Sequence, residues 1–275
     1  MPIEERDGYT NLILLCLEHH TIVDADESYW TVGRLHEMKA NHEKGVRDRM
    51  SPEDSRSLQL DVAYATIITD WTTRGALEDW SVIYGSLLAP TPHAAPETKN
   101  QIDSARTWLL NRMWPGSRPN IDATFRTLRH VMDDLGIIID CWFRKWGGEE
   151  LWHRPRFKDQ WVDNYDELAD RAEWIVGVIH DVVFEMTRAA NQAILEITLE
   201  LDPTFRRAEG FLTLDRQGAG LYFDKYVPRY EEGTYRPDIY PGLRDFTTER
   251  AHRSIYFGEG FDEVGYRDIT PITLG

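Results

Sequence analysis

The sequence predicts a mainly helical protein: a distinct front segment, then a large helical bundle that ends in a short β-hairpin. Three observations carry this expectation. From residue 55 to 201 apolar residues recur at helical spacing, broken by Pro and Gly clusters. After Asp202-Pro203 the pattern changes to short apolar runs around glycine. The 275 residues are 41% hydrophobic, with 10 Trp, 12 Tyr and 10 Phe, which suffices for a core and excludes a disordered or low-complexity chain.

The longest apolar runs, such as Ile137-Ile138-Ile139, fall far short of a membrane span. The start, Met1-Pro2-Ile3-Glu4-Glu5, is acidic where a signal peptide would be basic. Cys16 and Cys141 cannot build a disulfide framework, so a cytoplasmic protein with no membrane partner is expected. A net charge of −16 opposes broad grip on a polyanion, and no basic arm is present. Contact with DNA would need a local patch or a bound metal.

Residues 1–50 form the expected front segment, and they carry four of the nine histidines: His19, His20, His36 and His42. Thr31 can cap a helix that runs to about Lys44, with Gly45 as its stop. Ser51-Pro52-Glu53-Asp54 is a second helix start and opens the larger domain, residues 51–275. Residues 55–89 read as two helices broken around Thr72-Thr73-Arg74-Gly75. Residues 88–98 contain three prolines and read as a loop. Helices are expected from Lys99 to Met113 and over 121–145, the latter with Phe125, Leu128, Met132, Leu135, Ile138, Ile139, Trp142 and Phe143 inward and Gly147-Gly148 as its end. Asp166 to Leu201 has no proline and predicts one long helix or two stacked ones. Residues 211–216 and 221–226 flank Gln217-Gly218-Ala219-Gly220 as a hairpin.

The string Asn11-Leu12-Ile13-Leu14-Leu15-Cys16-Leu17-Glu18-His19-His20-Thr21-Ile22-Val23-Asp24, with Leu35, Met38-Lys39 and His42-Glu43 downstream, carries the chemistry. It resembles the second half of the HNH endonuclease signature, over residues 6–44. The resemblance implies a truncated ββα-metal segment and metal-dependent hydrolysis of DNA phosphodiesters. It makes Asn11 the middle letter, whose amide orients the catalytic histidine, and His20 the last, a metal ligand. His20 and Asp24 are one helical turn apart, so imidazole and carboxylate share a face suited to Mg²⁺, Mn²⁺ or Zn²⁺. His19, a further candidate ligand, stands where many relatives carry the second cysteine of a zinc knuckle. With no C-x-x-C pair in the chain, a structural zinc is not expected.

The first histidine of the motif, the base that activates water, has no counterpart among residues 1–10. Loss of a general base typically lowers the rate by ~10²–10⁴, so little or no nuclease activity is expected of the chain. An upstream start, a decayed module kept for binding, or substitution by His19, His36 or a partner chain would each account for the gap. A purely structural role for Asn11, His20 and Asp24 stands beside the catalytic one. His36 and His42 read as solvated residues, and Cys16 as a small buried apolar one.

In the larger domain Asp181, Glu185, Arg188 and Gln192 form one polar line along the long helix. That line predicts a buried ion-pair network or, alternatively, a ligand pocket in which Arg188 and Asn191 reach a small anionic or amide-bearing molecule. Asp133, Asp134 and Asp140 could pair with that line or with Arg126 and Arg129. The three arginines of Arg244–Arg253 read as surface salt bridges or, alternatively, as a phosphate or partner contact. The strings Glu185–Asn191, Leu201–Arg206 and Phe257–Gly260 resemble those of a bacterial helical domain of unknown function. A nuclease module joined to a sensing domain is a plan seen in bacterial and phage-defence effectors, and by that analogy the helical domain would regulate or bind a partner. The other expectation is a noncatalytic sensing or protein-interaction module with an HNH remnant.

Overall fold

The computed structural model describes residues 8, 11–49, 52–145, 152–153, 165–217 and 223–250. Gly147-Gly148, the hairpin turn after Gln217, the arginine beyond Arg250 and the Phe257–Gly260 string lie outside the described residues. The chain divides into two compact units, Met1–Asp61 and Val62–Gly275, with the division inside a helix. No helix among the described residues is long and apolar enough to cross a membrane.

In the first unit an irregular segment leads into α1 (Leu17–Ala25) and then α2 (Val32–Arg49). Thr31 caps α2 as expected, its hydroxyl accepting from the Arg34 amide. The helix does not stop at Gly45 but runs on to Arg49. A helical glycine costs only about 1 kcal/mol relative to alanine, too little to end a helix that both flanks support. No described side chain from Asn11 to Asp61 is buried.

The helix α3 (Pro52–Arg74) crosses the division, and its last turns bury Tyr64, Ile67, Ile68 and Trp71 at core-facing spacing. A break follows at Gly75, whose missing Cβ would sit 2.8 Å from the Trp71 carbonyl oxygen. Next come α4 (Trp80–Gly85), α5 (Pro96–Asn111), α6 (Pro119–Trp142), α7 (Tyr165–Glu200) and α8 (Leu243–Arg250). The expected loop over 88–98 is shorter than its prolines suggest. His93–Ala94 forms β1, paired antiparallel with β2 (Trp152–His153), and Pro96 starts α5, where its missing N–H costs nothing. Residues 165–200 are one unbroken helix. The hairpin pairs β3 (Leu214–Gln217) with β4 (Phe223–Tyr226), Leu214 opposite Tyr226.

The core lies where α6 and α7 pack along one another, and all eight residues expected on the inner side of α6 are buried. Polar ties hold the surrounding elements. Trp80 Nε1 donates to Thr187 Oγ1 on α7 at 3.0 Å, and Tyr64 donates to Asp122 on α6 at 2.6 Å. Asp134 accepts from the Tyr240 hydroxyl at 2.7 Å and the Leu243 amide at 2.9 Å, which caps α8.

The acidic groups of α6 do not pair with Arg126 or Arg129 in their own helix. Arg106 of α5 reaches Asp133 at 2.6 Å and Asp140 at 3.3 Å, and Lys99 reaches Asp140 at 3.1 Å. Gly136 makes room for this bridge, since a Cβ there would meet the Arg106 side chain at 2.7 Å.

Candidate functional site

The motif residues sit on α1, on the segment before it and on α2. The helical turn brings His20 and Asp24 together as expected: His20 Nδ1 lies 3.0 Å from Asp24 Oδ2, and both side chains are about two-thirds exposed (65% and 67%). One turn earlier Cys16 Sγ is 2.9 Å from His19 Nδ1. Cys16 is exposed rather than buried, because it precedes the first turn of a helix with no buried face. The His19 hydrogen bond lowers the thiol's pKa, and the same contact raises that of His19.

Asn11 does not meet His20. Its Oδ1 lies 3.2 Å from Nε2 of His36 on α2, while Lys39 Nζ donates to the Leu12 carbonyl at 2.7 Å. Two α2 side chains thus brace the segment that leads into α1. His36 has a named partner instead of being merely solvated.

His20 and Asp24 offer one imidazole and one carboxylate, and among the described residues no three His, Cys, Asp or Glu side chains converge on a metal position. A closed four-ligand zinc site does not fit this donor set. A cation that keeps most of its water, Mg²⁺ or Mn²⁺, fits two protein ligands on an open surface. His19 is engaged with Cys16 and stands apart from that pair.

The polar line of α7 is a packing network. Glu185 is buried, accepts from the Tyr230 hydroxyl at 2.6 Å and pairs with Arg188 at 2.9 Å, and Arg188 stacks over the Tyr230 ring. Burial raises the Glu185 pKa despite these partners. Asn191 donates to the carbonyls of Leu212 and Pro228 and accepts from the Leu212 amide, which uses its amide group on the chain itself. Asp181, one turn before Glu185 on α7, is also buried. Gln192 turns instead to Glu196 at 2.8 Å. Glu185 and Asn191 thus meet groups of the chain itself, whereas the buried Nε of Arg188 has no hydrogen-bond partner among the described residues.

The sequence did not announce the Cys16–His19, Asn11–His36 or Lys39–Leu12 contacts. The i, i+3 spacing of Cys16 and His19 could have revealed the first. Asn11 and His36 are 25 residues apart, and nothing local announces their meeting. No family model, curated protein or solved structure matches the chain.

Proposed function

We propose that residues 11–44 are the metal-holding half of an HNH-type site for DNA phosphodiesters. The 275-residue chain would cut DNA weakly or not at all, and its helical portion would serve regulation or partner binding. The observation that carries this reading is the exposed His20–Asp24 pair at 3.0 Å within a motif of HNH spacing. When bound, a divalent cation would polarise a phosphoryl oxygen and stabilise charge on the leaving oxygen. His20 and Asp24 would hold that ion, and Asn11 orients His36. The ten residues ahead of Asn11 add no imidazole to activate water.

Titration of the chain with Mn²⁺, followed by electron paramagnetic resonance, tests the metal half. His20→Ala and Asp24→Asn should each weaken binding about tenfold or more, as expected when one of two protein ligands is lost. Binding that neither substitution alters would remove the site. A plasmid-nicking assay with Mg²⁺ or Mn²⁺ tests the other half: strong cleavage abolished by His20→Ala would overturn the expectation of weak activity.

A second reading, a noncatalytic helical interaction module, draws on the way the motif residues brace one another, Asn11 with His36 and Cys16 with His19. Purified chain that is folded and metal-free by elemental analysis, and that does not take up Mn²⁺, favours it.

A further inference from the structure

An open groove of about 580 Å³ lies at the ends of α3 and α5, walled by Arg74 and Arg112. One carboxylate positions both guanidinium groups. Asp70 accepts from Arg74 Nε at 2.9 Å through one oxygen; the other accepts from Arg112 Nη2 at 3.0 Å and from Trp108 Nε1 at 2.6 Å. The Arg112 guanidinium also lies over the Trp108 ring, 4.6 Å from its centroid, so stacking and an ion pair fix it together.

The Asp70 carboxylate takes one N–H from each of the two guanidinium groups. The other acid on the wall, Asp103, is paired with Lys99 at 2.7 Å. Each guanidinium has five N–H donors and spends few of them on Asp70. The buried Nε of Arg112 has no hydrogen-bond partner among the described residues. Capping does not require Arg74 either, because its carbonyl at the end of α3 already accepts from Gln101 Nε2 at 2.6 Å. Ser104, Thr107 and Asn111 recur at i, i+3 and i+7 along α5 and add hydroxyl and amide groups to the same wall.

We propose that this groove binds a small phosphorylated molecule of nucleotide size, with its phosphate on the N–H groups of Arg74 and Arg112 that Asp70 leaves free and its polar remainder along Ser104, Thr107 and Asn111. Paired arginines held by a shared acid suit a phosphate, which takes several N–H donors at once. The volume lies in the range of small-ligand sites. This site is independent of the His20–Asp24 pair.

Isothermal titration of the 275-residue chain with pyrophosphate, AMP and ATP, in EDTA and at fixed ionic strength, tests it. EDTA removes any cation that His20 could hold, so failure of one site is separable from failure of the other. AMP and ATP should bind with one-to-one stoichiometry and more tightly than sulfate. Arg74→Ala and Thr107→Glu should each weaken binding about tenfold or more, and His20→Ala should leave it unchanged. Thr107 is exposed, so Thr107→Glu places a carboxylate in the groove without disturbing the core, and an unchanged unfolding midpoint verifies that. No binding of any phosphate probe up to about 10 mM, or binding indifferent to both substitutions, overturns the proposal.

Discussion

Between Asn11 and Asp61 no described side chain is buried, whereas α6 and α7 bury more than half of their residues. The first region holds the motif residues Asn11, His19, His20 and Asp24, and Leu14 and Leu17 are 99% and 85% exposed on it. The second holds the core and uses its polar groups on itself. A segment with few buried contacts opens at low free energy, while a doubly packed helix opens only with the whole domain. The contrast teaches that a residue pattern legible as a site need not lie on the part of the chain that holds the fold together.

The largest effect expected is at the core. Leu135→Ala on α6 should cost about 2–5 kcal/mol in urea unfolding, while Leu14→Ala should stay within about 0.5 kcal/mol. Equal costs would break the comparison. Next is Asn191→Ala, which strands two carbonyls and one amide of the chain and should cost about 2–3 kcal/mol by the same measurement. Hydrogen exchange should sharpen the contrast: amides of α1 should exchange far faster than those in the middle of α7. Similar protection in both helices would contradict it.

A smaller effect concerns pH. Burial raises the Glu185 pKa above the ordinary 4.5, so above that pH the folded chain binds more protons at this site than the unfolded one. The site's contribution to stability is full below pH 4.5 and is lost as pH rises through the raised value. Glu185→Gln should therefore flatten the fall in stability with rising pH, and an unchanged slope would show that Glu185 is not its source. The smallest effect is Asn11→Ala, whose partner His36 is exposed; it should cost about 0.5 kcal/mol.

Legibility followed distance along the chain. The inner face of α6, the break at Gly75 and the His20–Asp24 pair all follow from contacts within a few residues, which helical periodicity dictates. The partners of Asp133 and Asp140 are neither the polar line of α7 nor Arg126 and Arg129 but Arg106 and Lys99 of α5. Asn191 reads as a ligand group until residues 212 and 228 come back to it. The Arg74–Asp70–Arg112 arrangement likewise has one local pair and one partner 42 residues away.

Local spacing alone determined that this protein is mainly helical, where most of its helices lie, which face of α6 is inward and that His20 and Asp24 share a turn, because each depends on backbone geometry repeated every few residues. Tertiary packing alone decided which polar groups are spent on the chain and which are left to meet something else. Burying a hydrogen-bonding group without a partner is costly, and that partner can come from any part of the chain that folding brings near.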